Sequence, residues 1–356
     1  MSDSTISSTP STIGLDLGDT YTHLCMVDEH GEVIEESRFT TSVPSFTRRF
    51  EPLQPIRIAI EAGSHSPWIS RLLEGFGHDV IVANPRKMRL IYLNDTKNDK
   101  VDAEYLARLG RMDPTLLSPI RHRKADTMAD RAVIRSRDML VRTRTRFISH
   151  VRSLVKFTGY RVPRASTYIF SQKARLHIPE ELQETVMPIL DEIERINEQI
   201  SAYDRQIEKL AREKYPETEL LTQVPGVGTL TALTFILTIE DPCRFQKSRH
   251  VASFLGLRPR QHASGDRQPQ MRITKAGDVL CRKYLVQCAH LILGRNGRDS
   301  DLRRWGLKLA ERGGKAAKKR AVVAVARKLA IMLHRLWITA EVYEPIGYTD
   351  DLKTTA

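Results

Sequence analysis

The stretch that decides the fold of the N-terminal part is TIGLDLGDTYTHLCMVDEHGEVIEESRFT, residues 12–40. It contains three short apolar runs, IGLDLG, YTHLCMVD and EVIEESRFT, and a His30-Gly31 turn separates the last two. Apolar runs of this length that are bounded by turn residues are typical of β-strands. The stretch therefore predicts three antiparallel strands joined by tight turns.

Two further apolar runs follow, and each leads into helical sequence. IRIAIEAG (residues 56–63) precedes a predicted helix near 67–76, and HDVIVANP (78–85) precedes predicted helices around 87–94 and 101–109. Three antiparallel strands followed by β-α-β-α units are the element order of a ribonuclease-H-like α/β domain, and the same order serves sugar-kinase and actin-like folds. We expect this domain over residues 11–124, after a disordered Ser/Thr-rich tail at 1–10.

Positive charge is concentrated in two segments of a chain whose formal net charge is +13. Residues 121–164 contain thirteen Lys and Arg against three acidic residues, and residues 301–340 contain eleven against two. Two basic segments on an otherwise acidic chain indicate a polyanionic partner, most simply nucleic acid, although solvated basic helices are the simpler alternative. The candidate nucleic-acid contacts in these segments are Arg142, Arg146, Lys318, Lys319 and Arg320.

The middle of the chain, residues 125–214, reads as a basic helix followed by a coiled coil. Apolar residues recur every seven positions in the first helix, at Val133, Leu140, Phe147 and Leu154. The second helix has alternating three- and four-residue spacings, which is a coiled-coil seam; its members are Val186, Ile189, Ile193, Ile196, Ile200, Tyr203, Ile207 and Leu210. Such a seam needs a partner helix in the same chain or in another protomer. We favour the second and expect a dimer or tetramer.

A second, mainly helical domain is predicted over residues 215–345, with a short tail at 346–356. Its first part, LLTQVPGVGTLTALTFI (220–236), has the pattern of a helix-hairpin-helix. The backbone amides of Gly226 and Gly228 at a helix N-terminus are suited to holding a phosphate, although short glycine turns between helices are also common without that role.

Four carboxylates are candidates for one metal site. Asp16 and Glu61 end the first and fourth predicted strands, which are neighbours in a ribonuclease-H-like sheet, and Asp99 and Asp102 share one face of the helix in KNDKVDAEYLARL (97–109). Each acid alone also has a structural explanation as a turn, rim, N-cap or first-turn residue. Four converging carboxylates need cations, and two Mg²⁺ ions about 4 Å apart are the arrangement for phosphodiester cleavage.

The sequence as a whole, from about Ile13 to Leu293, resembles the insertion-sequence one-ten family of transposases. The motifs that carry the resemblance are GLDLG, IEAGS, NPRKMR, TKNDKVDAEYLAR, VPGVG, FLGLRPRQHASG and RITKAGDVLCRKYLV, in this order. The resemblance implies a RuvC-like N-terminal domain with a DEDD tetrad on Asp16, Glu61, Asp99 and Asp102. It also implies a C-terminal transposase domain in which Ser264 is the nucleophile.

The residues around Ser264 suit that chemistry. Guanidinium groups hold a phosphate and lower the cost of an alkoxide that attacks it; the basic neighbours are Arg258, Arg260, Arg267, Arg272 and Lys275. His262 is interpreted as a packing or DNA-contacting residue. The resemblance further implies a structured bridge RNA that pairs with donor and target DNA, a phosphoserine link to DNA, and an oligomer whose sites combine both domains.

Several alternatives remain at the level of sequence. A RuvC-like endonuclease or junction resolvase would use the tetrad without serine chemistry. An actin-like or sugar-kinase protein would need a second phosphate loop and an adenosine motif, which the sequence lacks, and a third alternative is a non-catalytic nucleic-acid-binding protein. The four cysteines lack metal-ligand spacing, and the apolar runs are too short for a membrane span. We expect a cytoplasmic protein with no membrane partner.

Overall fold

The fold is taken from a computed structural model, which describes residues 10–87, 99–260 and 271–347, without the side chains of Pro10 and Asp99. The chain divides into two compact units, one up to Arg123 and one from Lys124 onward. The second unit contains both the segment predicted as a coiled coil and the segment predicted as a separate C-terminal domain. Apart from Pro10, the predicted tail at 1–10 lies outside the described residues, and Pro10 begins the first strand.

The first unit is built on one five-stranded sheet with the strand order β3-β2-β1-β4-β5. Strand β1 is antiparallel to β2, and β2 is antiparallel to β3, whereas β4 and β5 are parallel to β1. The antiparallel meander and the pairing of the first with the fourth strand are as predicted. The strands are β1 (Pro10–Leu17), β2 (Tyr21–Asp28), β3 (Val33–Thr40), β4 (Arg57–Glu61) and β5 (Asp79–Ala83).

Helices cover both faces of this sheet. Because side chains alternate along a strand, Ile13 and Leu15 point to one face and Gly14 and Asp16 to the other. The first face packs on the two helices α1 (Val43–Phe50) and α2 (Ser66–Gly75) through a core that includes Phe46, Phe50, Ile69 and Leu73. The other face is covered by α3 (Asp99–Met112) through Cys25, Ala59, Ala103, Leu106 and Ala107. The one acidic residue of β1, Asp16, therefore lies on the face that α3 covers.

The second unit is mainly helical, as predicted. Its helices are α4 (Ala125–Phe157), α5 (Phe170–Arg175), α6 (Gln183–Lys214), α7 (Thr218–Thr222), α8 (Thr229–Ile239), α9 (Ser248–Phe254), α10 (Val279–Leu293), α11 (Asp301–Ala310) and α12 (Gly314–Thr339). Helix α8 is apolar on all sides, and its residues from Thr231 to Ile239 are buried. A helix without a polar face belongs at the centre of a core, and α7, α9, α10 and α12 pack around it.

The coiled-coil seam of α6 is buried within its own chain, which corrects the preference for a partner helix in another protomer. Val186, Ile193, Ile196, Ile200 and Ile207 are all at most 5% exposed, and the helix that covers much of the seam is α4. On α4 the buried positions include Ile134, Ile148, Val151 and Val155, next to the predicted seven-residue series. The seam therefore gives no support to an oligomer.

Two arginines of the basic segment at 121–164, Arg137 and Arg144, take part in contacts between α4 and α6. Arg137 forms an ion pair with Asp204 of α6, and the Nη1 of Arg144 donates to the Oδ1 of Asn197 at 2.7 Å. Asn197 is itself buried in α6. Polar groups inside a helix interface fix how the two helices align.

Among the described residues, no helix is both long and apolar enough to cross a membrane.

Candidate nucleic-acid-processing sites

The carboxyl ends of β1 and β4 bring two of the predicted acidic residues together. Leu15 is paired in parallel with Ile60, so the next residues on the two strands, Asp16 and Glu61, are neighbours at the same sheet edge. Both belong to the face that α3 covers, since each is two residues beyond a position, Gly14 or Ala59, on that face. Both side chains are half-buried.

Helix α3 lies directly on β1 because glycine is present at the contact. A Cβ atom on Gly14 would be 2.0 Å from the carbonyl oxygen of Ala103 and 2.5 Å from the nitrogen of Ala107. Toward the other end of the helix, a Cβ on Gly110 would be 3.4 Å from the Cγ2 of Thr12. The helix therefore runs antiparallel to β1, and its first turn, with Asp102, approaches the strand end that carries Asp16.

Three of the four predicted metal ligands, Asp16, Glu61 and Asp102, therefore lie at the same end of the sheet. Asp99 begins α3, and its side chain lies outside the described residues. Within the described part of the chain, no three His, Cys, Asp or Glu side chains are grouped closely enough to hold a metal ion. Asp16, Glu61 and Asp102 each take part in a polar or electrostatic interaction.

Two further residues, His23 and Arg38, lie beside Asp16 on neighbouring strands, and the sequence analysis did not identify them. Asp16 is paired with His23 of β2, and His23 is paired with Arg38 of β3. Cross-strand partners lie on the same face of a sheet, so both side chains belong to the face of the acidic residues. Together with Glu36 and Lys100 they line a cavity of about 350 Å³. The alternation in YTHLCMVD is the signal that could have identified His23.

The predicted nucleophile, Ser264, lies in the sequence between two segments, Arg258–Arg260 and Arg272–Thr274, that form a short stem in the second unit. Pro259 and Ile273 form an antiparallel bridge. The amide of Arg260 donates to the carbonyl of Arg272 at 2.9 Å, and the amide of Thr274 donates to the carbonyl of Arg258 at 2.9 Å. Ser264, Arg267 and His262 lie outside the described residues.

The base of this stem is held by one buried arginine and two glycines. Arg282 is 9% exposed, and its Nη1 donates to the carbonyls of Leu255, Gly277 and Asp278 at 2.9, 3.1 and 3.3 Å. The two chain segments cross closely there. A Cβ on Gly256 would lie 2.5 Å from the nitrogen of Ala276, and one on Gly277 would lie 2.1 Å from the carbonyl oxygen of Phe254.

Four of the five predicted basic neighbours of Ser264 lie on this stem and are exposed: Arg258, Arg260, Arg272 and Lys275. Because Pro259 is opposite Ile273, Arg260 is opposite Arg272 on the same side of the stem. Ile273 packs against the core of the unit, and therefore the arginine side is the outer one. The stem thus presents positive charge on its outer side, close in sequence to Ser264.

The predicted helical hairpin is formed by α7, a turn and α8. Gly226 has φ of +90°, a conformation that favours glycine. Gly228 is the N-cap of α8, and no side chain caps this helix end. The amide of Thr231 in the first turn donates to the carbonyl of Gly228 at 2.9 Å, so the amides suited to another acceptor are those of Thr229 and Leu230 at the helix start.

The remaining predicted contacts lie on two separate helices. Arg142 and Arg146 are exposed on α4, and Arg142 pairs with the buried Asp138 at 3.0 Å. Asp138 also binds Lys283 of α10, so this carboxylate is shared by two cations. The three residues Lys318, Lys319 and Arg320 are exposed in the first two turns of α12.

Comparison with known proteins agrees with these features. Residues 13–159 match the DEDD transposase model of the IS110 family, and residues 218–303 match the model described as transposase of the IS116/IS110/IS902 family. The chain is 26% identical over 339 residues to the transposase for insertion sequence element IS1111A of Coxiella burnetii, covering 93% of this chain and 90% of the relative. It is 29% identical over 290 residues to the IS1328 transposase of Yersinia enterocolitica, covering 80% and 84%.

A third relative is the pilin gene-inverting protein of Moraxella bovis, which is 28% identical over 261 residues, covering 71% of this chain and 70% of the relative. The mixed sheet, the helical second unit and the two matched regions define a DNA-processing enzyme of the transposase class. The chain belongs to the IS110 family of transposases. This membership overturns the sugar-kinase, actin-like and non-catalytic alternatives.

Proposed function

We propose that the protein is the recombinase of an insertion sequence, which cuts and rejoins DNA through Ser264 and a Mg²⁺-dependent tetrad of Asp16, Glu61, Asp99 and Asp102. The observation that carries this proposal is the placement of Asp16 and Glu61 side by side on the sheet face where α3 begins. A ribonuclease-H-like, RuvC-like assignment of the first unit accounts for the strand order β3-β2-β1-β4-β5.

The acidic residues fit a hard divalent cation in their chemistry, and two of them, Asp16 and Glu61, end neighbouring strands. Carboxylate oxygens are the ligands that Mg²⁺ prefers, and the two strand ends hold two of them rigidly next to each other. Two Mg²⁺ ions, when bound, supply stabilisation of the charge on the attacked phosphate and on the leaving oxygen.

Ser264 is proposed to supply the covalent step. Its Oγ forms a bond to the phosphorus of the DNA backbone while the bond from phosphorus to the leaving DNA oxygen breaks, which gives a phosphoserine link. Attack by the hydroxyl of another DNA end then forms the new phosphodiester and releases the serine. The exposed arginines Arg258, Arg260 and Arg272 of the stem are placed to hold the phosphate during both steps.

The partners belong to the same proposal. A structured guide RNA of the element, paired with donor and target DNA, would use the basic segments around Arg142 and Lys318 for its backbone, because phosphate contacts supply affinity and base pairing supplies sequence. We propose a homo-oligomer, a dimer or tetramer, that acts in the cytoplasm. The oligomer rests on the family resemblance alone, since the α6 seam is buried within the chain.

The test is recombination of paired DNAs in Mg²⁺ by the protein purified with any bound RNA. We expect Ser264→Ala to lose both recombination and the covalent protein–DNA adduct, and Asp16→Asn and Asp102→Asn to lose strand cleavage by about 1000-fold, as is typical when a preorganised charge-stabilising group is removed. Ser153→Ala and Glu198→Gln, both exposed on α4 and α6, are the matched controls and should keep full activity.

The second candidate is a RuvC-like endonuclease or junction resolvase, which would use the first unit alone. The observation in its favour is that the acidic residues belong to the first compact unit, whereas the stem belongs to the second. Full recombination by Ser264→Ala would establish this alternative. Absence of bound RNA after sequencing of the purified material would contradict the guided mechanism.

A further inference from the structure

A cavity of about 570 Å³ lies within the second unit, between the turn of the helical hairpin and the loop that follows α10. The cavity is distinct from the stem formed by Arg258–Arg260 and Arg272–Thr274, because no residue of that stem lines the cavity. One wall is the turn from Val224 to Val227, and the opposite wall is the loop from Gly294 to Arg298. A volume of this size is in the range of small-ligand sites.

The two walls are held in place by specific contacts. A Cβ on Gly226 would be 3.2 Å from the Cγ1 of Ile292, so the hairpin turn packs tightly against α10. The Nη1 of Arg303 donates to the carbonyls of Ile292 and Gly294 at 2.6 and 2.8 Å. The amide of Tyr343 donates to the Oε1 of Gln223 at 2.9 Å and fixes a third side. The cavity is therefore a built feature of this unit.

The floor of the cavity is apolar. Its buried members are Val224, Val227, Ile292, Leu302 and Tyr343. Burial raises the pKa of the Tyr343 phenol, so this ring is neutral at physiological pH. Such a floor suits a flat, uncharged group such as a nucleobase.

The mouth of the cavity is cationic. His290, Arg295, Asn296 and Arg298 are exposed there, and the described lining contains no acidic residue. The acids that follow in the chain are engaged elsewhere. Asp299 pairs with Arg304, and the Oδ2 of Asp301 accepts from the amide of Gly347 at 2.7 Å.

We propose that this cavity binds one unpaired nucleotide of a nucleic-acid strand, with the phosphate on Arg295 and Arg298 and the base on the apolar floor. The inference rests on the proposed function, in which guide pairing and strand exchange leave RNA or DNA nucleotides unpaired. Guanidinium groups bind phosphate in a bidentate manner, and unstacked bases are bound on apolar and aromatic surfaces. A base within an intact duplex does not reach the floor.

The test measures the affinity of the full-length protein for labelled oligothymidylate, oligouridylate and a blunt duplex of the same length. We expect Arg295→Gln and Arg298→Gln each to weaken binding of a single strand by about tenfold, the usual effect of losing a charged hydrogen bond. Leu291→Trp fills the cavity from an exposed position without changing charge and should weaken it similarly. Arg205→Gln, exposed on α6, is the control for charge.

The duplex arm separates the cavity from general electrostatics, and all variants should bind the duplex as the wild type does. Loss with oligothymidylate alone assigns the nucleotide to DNA, and loss with oligouridylate alone assigns it to RNA. Equal loss on the duplex, or wild-type binding of a single strand by Leu291→Trp with an unchanged unfolding midpoint, overturns the inference while the proposed function stands. A wild-type protein that binds none of the three probes overturns both.

Discussion

The first unit holds Asp16 and Glu61 on paired strands, whereas in the second unit the described residues on either side of the Ser264 segment are joined by one isolated β-bridge. Asp16 and Glu61 extend a continuous five-stranded ladder, and α3 is pressed onto it at Gly14. Three backbone amides, those of Arg260, Thr274 and Lys275, donate between the two segments of the stem, the last to the carbonyl of Gly256 at 3.0 Å, and Arg282 supports the stem from beneath. The difference suits the proposed role of the first unit, because metal ligands need fixed spacing.

The largest expected effect comes from Gly14→Val, which disturbs the packing of α3 on β1 in the first unit. Its side chain has no space, since the backbone of Ala103 is already 2.0 Å from the position of a Cβ. Helix α3 must shift away from β1, and we expect a loss of about 3 kcal/mol in unfolding free energy, at the upper end for overpacking, together with loss of strand cleavage.

Thermal unfolding and a cleavage assay measure the effects of Gly14→Val. Gly75→Ala is the matched control in the same unit, because nothing lies within 4 Å of its Cβ position. It should be neutral or slightly stabilising at the end of α2. A Gly14→Val protein with wild-type stability would show that α3 does not pack on β1 in this manner.

The same comparison explains what the sequence predicted well. The strand order and the pairing of the first with the fourth strand follow from local apolar runs and from the rules for connecting them, and they bring Asp16 next to Glu61. The position of His23 and Arg38 beside Asp16 was missed because it depends on the register between strands, which is set by the burial of a whole sheet face and by turn geometry rather than by a single apolar run.

Long-range helix contacts were harder to predict. The α6 seam has a regular heptad pattern, and such a pattern shows that a partner is needed but does not say which helix provides it. The pairing with α4 depends on polar contacts such as Arg144 with Asn197, far apart in sequence. The nucleotide cavity likewise combines Gln223, Arg295 and Tyr343, which no local motif connects.

A smaller effect is expected from weakening the stem with Arg282→Met. Methionine keeps much of the apolar volume, but the carbonyls of Leu255 and Gly277 lose their donor, at a cost of about 2 kcal/mol to the second unit. Hydrogen exchange should show faster exchange at the amides of Arg260, Thr274 and Lys275, and covalent adduct formation should fall.

Arg205→Met is the control for Arg282→Met, since Arg205 is exposed on α6. Exchange in the strands of the first unit should remain at the wild-type rate in both variants. If Arg282→Met left the three stem amides protected as before, the support of the stem by Arg282 would be disproved.

The smallest expected effect is on the pH dependence of unfolding. One histidine with a lowered pKa lies in each unit, so the two units can be tested separately. Burial lowers the pKa of His334, whose ring contacts the Oγ of Ser248 at 3.0 Å and the carbonyl of Pro242 at 2.9 Å. A base with a lowered pKa in the folded state binds more protons when unfolded, so its contribution is present above the unfolded pKa near 6.5 and is lost as pH falls.

His122 makes the corresponding contribution in the first unit, because burial, with Arg71 and Arg123 nearby, lowers its pKa. We expect the unfolding midpoint to fall by roughly 2–4 °C for each unit on acidification below 6.5. His334→Gln should flatten this dependence only in the second unit, and His122→Gln only in the first, with hydrogen exchange assigning each transition. A pH dependence that either variant removed from both units would mean that the two units unfold as one, because protonation acts only where the buried imidazole is.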